Sequence, residues 1–284
     1  MKHIIATIGA AALAMTLVLP GAQAAEEEGG TVHYPLEHPH EQSWSFAGPF
    51  GTYDKAQLQR GLKIYANVCS SCHSMKRVAF RTLEDLGYSE EQVKSFAAQY
   101  EVEDGPNEDG EMFTRAALPT DHFPGPYAND AEAKMVNNGA LPPDFSLIAK
   151  ARAVERGFPR FIFDVFTQYN EAGPDYIYSL LTGYGEEPPA HVEVPGDLHY
   201  NPYFNAGTAL AMAQPLYGED VEYDDGTVAT LDQEARDIAA FLMWAAEPHL
   251  VERKEMGFRV MIFLIVFAAF LYIAKRQVWS RVAH

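Results

Sequence analysis

The chain has two cysteines among its 284 residues, Cys69 and Cys72, and His73 follows the second directly. A C-x-x-C-H stretch is the attachment signature of c-type haem: the two thiols add across the porphyrin vinyl groups, and the histidine lies under the iron as its proximal ligand. Read in this way, the chain has to fold around a rigid, flat, largely apolar body fastened to its own backbone. No other feature of the sequence restricts the fold as much.

Two other chemistries use the same spacing. A zinc site needs a second pair of ligands at short spacing, and the histidines downstream of the motif at His122, His191, His199 and His249 are scattered. A redox dithiol remains open, because the pair lies near the start of a possible helix, where a thiolate is stabilised, although no strand, helix, strand pattern surrounds it. With both cysteines in the motif, no structural disulfide is left, so packing and the tied cofactor must hold the fold together. The formal net charge of -18 argues against nucleic acid and anionic lipid surfaces and in favour of a basic partner.

Residues 1–24 read as a secretory signal. Lys2 supplies the positive start, 4–19 the apolar core, and Ala22-Gln23-Ala24 the small-residue cleavage site, so that the mature chain begins at Ala25. Export agrees with the haem motif, since c-type haem is attached on the outer side of the bacterial inner membrane. Residues 26–50 mix acids, prolines and aromatics without period and are expected to be an irregular arm.

Residues 53–68 then show a helical period, with Leu58, Leu62, Tyr65 and Val68 on one face, leading straight into the motif. On that face Gly61 and Tyr65 offer a small residue and an aromatic where another helix can cross closely. A second amphipathic helix is predicted over 83–100, followed by an acidic loop at 101–111 that is either a solvated surface or a docking patch for a basic partner. The Pro-, Gly- and Asn-rich 119–143 is expected to be ordered loop, of the kind that wraps a flat cofactor. Short helices are predicted over 145–154, 158–169 and 175–181, with loop over 183–207.

Near the end, Thr230 to Gln233 reads as a capping box opening a helix whose apolar face is Ile238, Phe241, Leu242 and Ala245 and which stops before Pro248. Phe241 and Trp244 are natural partners for the Gly61/Tyr65 face. Residues 260–274 carry no ionisable side chain except Tyr272, and with 256–258 the apolar stretch is about 28 Å long as a helix, close to the hydrocarbon thickness. Arg259 can snorkel, and Lys275, Arg276, Trp279 and Arg281 follow as interface anchors. The positive end places the tail in the cytoplasm and the body in the periplasm. The expected division is therefore a signal at 1–24, a periplasmic haem domain at 25–252, an anchor helix at 253–275 and a cytoplasmic tail at 276–284.

A second axial ligand would suit the haem to electron transfer, and methionine is the one that raises the potential. Position along the chain leaves Met112, Met135 and Met212 among the methionines, with His122, His191 and His199 as alternatives. Met212 follows the aromatic and glycine loop at 201–207 and precedes Pro215, so loop packing can hold its backbone.

Several longer blocks then carry a family resemblance. Besides the haem motif and 101–115, they are Asn137-Asn138-Gly139-Ala140-Leu141-Pro142-Pro143-Asp144, the run 175–184, Asn201-Pro202-Tyr203-Phe204, Tyr223-Asp224-Asp225-Gly226-Thr227 and Trp244-Ala245-Ala246-Glu247-Pro248. In this order, over nearly all of the mature chain, they resemble the cytochrome c1 family in its bacterial form, the haem subunit of the ubiquinol to cytochrome c oxidoreductase. The resemblance implies a mainly α fold, a class I cytochrome c-like domain with long loops whose core pairs the first and last soluble helices, plus one C-terminal transmembrane helix. It implies one covalently bound haem c on Cys69 and Cys72, with His73 and Met212 as axial ligands, Arg152 facing a propionate and Tyr176 nearby. Residues 153–173 look longer than the mitochondrial pattern.

By the same resemblance the chain breaks no bond itself. It passes single electrons from the Rieske iron-sulfur protein to a soluble or tethered cytochrome c, beside cytochrome b in a dimeric complex. Two rivals are another membrane-anchored cytochrome c, such as an oxidase subunit, and an exported thiol-disulfide oxidoreductase.

Overall fold

The Asp54 carboxylate starts the first helix by accepting from the backbone N–H groups of Ala56 (2.9 Å) and Gln57 (3.3 Å). Helix α1 runs Lys55–Asn67 and buries Leu58, Gly61, Leu62, Ile64 and Tyr65, after which the motif forms a single 3-10 turn, Cys69–Ser71. The computed structural model describes residues 33–281 apart from 168 and 170, so the expected signal at 1–24 and the last three residues of the tail lie outside the described residues.

The helix predicted over 83–100 is in fact two elements. A 3-10 turn, Phe80–Leu86, ends at Gly87 with φ 97, and α2 restarts as Glu90–Ala97. Gly87 tolerates the left-handed backbone that stops one helix, and Ser89 with Gln92 forms a reciprocal capping box that begins the next. The acidic segment is not all loop either: β1 (Glu101–Asp104) pairs antiparallel with β2 (Phe113–Ala116). Arg115 secures this hairpin, donating to Asp104 and Asp121 at 2.5 Å each. Within 119–143 a short α3, Asp130–Val136, is capped by Asn129 and buries only Ala133.

The remaining short elements are a 3-10 turn at Phe145–Leu147, α4 (Ile148–Ala151), α5 (Arg160–Thr167) and α6 (Ala172–Thr182). A two-residue pair, β3 (His199–Tyr200) with β4 (Ala209–Leu210), closes a loop otherwise free of regular structure. Helix α7, Leu231–Ala246, is buried along most of its length, and α8 runs unbroken over Leu250–Trp279. The architecture is mainly helical, as the sequence predicts.

Helices α1 and α7 form the core crossing. A Cβ on Gly61 would run into the Asp237 carbonyl oxygen and the Phe241 Cβ, so only glycine permits this approach. Beside it, Arg60 donates to Asp237 and Asp225 at 2.7 Å each. Aromatic rings extend the core, with Tyr65 6.0 Å from Phe241 and 5.6 Å from Phe123, and Phe123 4.4 Å from Phe80. The expected pairing of the Gly61/Tyr65 face with Phe241 is present.

The expected capping box of α7 is half realised. Thr230 Oγ1 accepts from the Gln233 N–H (3.2 Å), but the Gln233 side chain donates to Asp237 (2.8 Å) and the Thr230 N–H goes to the Val228 carbonyl. The arm at 37–50 is held through Asp175, whose carboxylate accepts from the Gln42 N–H (2.9 Å), Trp44 Nε1 (2.8 Å) and the Tyr169 hydroxyl (2.7 Å). Lys254 Nζ donates to the Phe46 carbonyl (2.6 Å), tying the arm to the root of α8. Beyond that root the apolar side chains of α8 are exposed, and it is the one helix among the described residues long and apolar enough to cross a membrane.

Within α7, Glu234 is fully buried, and its carboxylate accepts from the Asp220 N–H (3.0 Å) and the Val221 N–H (3.3 Å). Burial, and then the neighbouring Asp220 carboxyl, raise its pKa from 4.5 to about 7. The folded state therefore keeps a proton that the unfolded chain releases above 4.5, and this contribution to stability is lost as pH rises through 7. Thermal melts from pH 5 to 8 are expected to show a fall in Tm that Glu234→Gln flattens; parallel pH profiles for the two proteins would contradict this assignment.

Candidate functional site

The motif emerges from the C-terminal end of α1. The Cys72 and His73 N–H groups both bond the Cys69 carbonyl, at 3.1 and 2.9 Å, which winds the three residues into one tight turn. The Tyr65 hydroxyl donates to the His73 carbonyl (3.1 Å), so the residue that packs against α7 also fixes the histidine backbone. Both cysteines are free thiols. Their position after a helix C-terminus, not at a helix start, removes the dipole that would stabilise a thiolate. Burial, and then the neighbouring Cys72, push the Cys69 thiol up to about 12.

The His73 ring is held on two sides. Its Nδ1 lies 2.8 Å from the Pro143 carbonyl, and since a carbonyl only accepts, Nδ1 carries the proton and Nε2 keeps its lone pair. Phe145 stacks on the ring at 3.9 Å with planes 15° apart. Burial lowers the pKa of His73, which favours the neutral imidazole that a metal requires.

Asp144, between those two partners, is the hinge pin of the loop. Its carboxylate accepts from Ser74 Oγ (2.8 Å), the Lys76 N–H (2.9 Å) and the Ser146 N–H (2.9 Å), and the Phe145 N–H bonds the Ser74 carbonyl at 2.7 Å. The block Pro142-Pro143-Asp144 is therefore bound to the segment just after the motif by bonds that span about 70 residues of chain.

A second group is built around Asn205. The Tyr176 hydroxyl donates to Asn205 Oδ1 (3.2 Å), and Asn205 Nδ2 donates to the Arg152 carbonyl (3.4 Å), so α4, α6 and the loop after β3 meet there. Tyr176 is buried, whereas Arg152 is exposed. Nearby, the Tyr184 hydroxyl donates to the Met212 carbonyl (3.0 Å). Fully buried Asn201 sets the loop by bonding the Leu180 carbonyl (2.8 Å) and the Tyr203 N–H (3.1 Å).

Of the six alternatives for a second axial ligand, Met112, Met135, His122, His191 and His199 are all exposed. Met212 is half-buried with its backbone pinned. The donor set fits a c-type haem: two unpaired thiols, an imidazole with its outer nitrogen committed and its inner one free, and a sheltered thioether. Spacing along the chain did not expose the parts played by Pro143, Phe145, Tyr184 and Asn205. For Pro143, Tyr184 and Asn205 the only signal was membership of the blocks at 137–144 and 175–184 and of the loop at 201–207, and Phe145 was marked only as the start of the helix predicted over 145–154.

Asp144→Ala removes the acceptor for three donors and is expected to cost about 1–3 kcal/mol of stability, read by urea unfolding, with Asp144→Asn retaining part of it. An unfolding midpoint unchanged in both variants would show that the loop does not depend on this carboxylate.

The chain matches the model of the cytochrome C1 family over residues 44–282. Cytochrome c1 of Blastochloris viridis is 46% identical over 277 residues, covering 96% of this chain and 95% of that protein. Cytochrome c1 of Rhodospirillum rubrum is 42% identical over 288 residues, with 96% of each chain covered. A protein named cytochrome b/c1 from Bradyrhizobium diazoefficiens is 50% identical over 247 residues, and the match takes in 86% of this chain but 36% of that longer protein.

Proposed function

The chain belongs to the cytochrome c1 family, and from that premise we propose that it is the membrane-anchored haem subunit of a cytochrome bc1 complex. In this reading it takes single electrons from the Rieske iron-sulfur protein, passes them to a basic cytochrome c, and works beside cytochrome b in a dimeric assembly. The observation that carries it is the His73 ring, oriented by Pro143 and Phe145 with Nε2 left as a ligand, in the turn that holds both cysteines.

Cys69 and Cys72 would hold one haem c as thioethers, and His73 and Met212 would bind its iron. The bound haem supplies a one-electron iron couple. The residues of the chain set the conditions for it. Pro143 fixes the imidazole tautomer, and Phe145 and Tyr65 hold the histidine and keep water from it. The Tyr184 bond steadies Met212, whose sulfur favours a raised potential. Tyr176, through Asn205, positions the segment that carries Arg152, where a positive charge would meet a propionate.

The signal at 1–24, the haem domain at 25–252 on the periplasmic side, the anchor at 253–275 and the cytoplasmic tail at 276–284 complete the reading. It is supported by the length of α8 and by Lys275, Arg276 and Arg281 at its end. The exposed Glu101, Glu103, Glu108, Asp109 and Glu111 on and around the β1–β2 hairpin, with the net charge of -18, suit the steering of a lysine-rich acceptor. Family membership favours this subunit over an oxidase cytochrome. The raised Cys69 pKa and the helix C-terminus before it disfavour a redox dithiol.

A pyridine haemochrome spectrum of the denatured protein is the direct test: a covalent haem c signal supports the reading, and reactive Cys69 and Cys72 thiols without haem would overturn it. Met212→Leu is expected to lower the midpoint potential and to open the site to carbon monoxide; an unchanged spectrum would move the ligand to a histidine. The rate of cytochrome c reduction should fall as ionic strength rises, and a flat profile would remove the steering role.

A further inference from the structure

Helix α5 and the two residues before it expose large apolar side chains that the haem domain does not use. Phe158 is 80% exposed, Phe163 63%, Phe161 54% and Ile162 42%. Four such groups within six residues are far from the scattered apolar exposure of an ordinary surface, and they mark a contact surface. Polar bonds fix the segment from behind: Arg156 donates to Asp164 (2.9 Å) and pairs with Glu41 (3.1 Å), and Arg160 pairs with Glu41 (3.4 Å).

Those bonds place α5 on the arm that reaches the root of α8. Three residues past Glu41 the arm continues through Trp44 to Phe46, whose carbonyl takes the Lys254 bond, and the Gly48 N–H donates to Glu171, four residues beyond the end of α5 (3.3 Å). Lys254 precedes Val260, where the uncharged run of α8 begins, by six residues, or about 9 Å of helix. That distance is close to the depth of one headgroup layer, taken as half of the difference between about 45 Å and about 30 Å. Next to this level the Phe50 and Phe258 rings, both exposed, meet edge to face at 5.6 Å.

We propose that α5 is an interfacial helix, with Phe158, Phe161, Ile162 and Phe163 seated in the outer leaflet of the membrane that α8 crosses. The inference rests on the reading of α8 as the anchor. An apolar face backed by arginines is the composition of helices that lie in the headgroup plane. The overall negative charge opposes free adsorption to anionic lipid, but tethering by α8 holds the segment at the surface, so zwitterionic lipid suffices. The extra length at 153–173 then acts as a second, reversible foothold that restrains the tilt of the head on its single anchor.

Phe161→Cys and Phe163→Cys, each made in the full-length holoprotein, can be labelled with an environment-sensitive NBD probe and reconstituted into phosphatidylcholine vesicles. Both probes are expected to emit blue-shifted light and to be quenched by lipids carrying a nitroxide high on the acyl chain, whereas a probe at Glu108→Cys emits as in water. Signal is taken as the difference from the unsubstituted chain, so Cys69 and Cys72 do not confuse it, and the haem spectrum of the same sample reports separately on the functional reading. Water-like, unquenched emission at both 161 and 163 overturns the proposal. So does shielding that arises only when partner subunits are present, which would assign the patch to a protein surface.

Discussion

The close approach of α1 and α7 at Gly61 is the constraint on which the rest of the site depends. Because Gly61 has no Cβ, Asp237 and Phe241 come against the α1 backbone, and Tyr65, one turn on, lies across Phe241. The hydroxyl of that tyrosine then reaches the His73 carbonyl. Helix packing and the placement of His73 are thus consecutive steps on one face of α1. A larger residue at 61 would push the helices apart and displace the tyrosine with them, so its effect would pass to the histidine through Tyr65.

The parts legible in the sequence were those governed by local period and composition. Leu58, Leu62 and Tyr65 marked the buried face of α1, Ile238 and Phe241 that of α7, and the uncharged run after Arg259 marked α8. The parts that escaped were set by single backbone conformations or by distant polar partners. Gly87 and the Ser89/Gln92 box broke a helix whose apolar pattern ran straight through. The β1–β2 hairpin has no apolar alternation, since its faces are charged and Arg115 holds it by two carboxylates. The site followed the same division: a motif spacing named Cys69, Cys72 and His73, but Pro143 acts on His73 across 70 residues and Asn205 on Arg152 across 53, and neither has a periodic signature.

A fold without a disulfide and with long loops has another way to fix them, and here buried carboxylates serve. Asp237 faces the Arg60 guanidinium, so charge is met by charge. Asp175 is met by one backbone N–H, an indole and a phenol, all neutral, and burial raises its pKa. Glu234 takes two backbone N–H groups from the loop at 220–221. Asp237 thereby ties α7 to α1, whereas Asp175 and Glu234 each sit on a helix and accept from a segment lacking regular structure, giving that segment the hydrogen bonds its own backbone cannot supply.

Helix α6 shows how this arrangement can join the anchor to the site. Asp175 and Tyr176 are neighbours in sequence, and successive side chains on a helix point about 100° apart. Asp175 collects the arm whose Phe46 is bonded to Lys254 at the root of α8, while Tyr176 turns to Asn205 and the Arg152 segment. One turn on, Ser179 Oγ accepts from the His40 N–H at 2.8 Å, so the arm is fastened to α6 at two levels. A rotation of the head about its anchor would have to break these bonds or carry α6 with it, and α6 bears one wall of the proposed haem surroundings. The arm therefore makes the orientation of the site relative to α8 a property of the fold and not of a flexible linker.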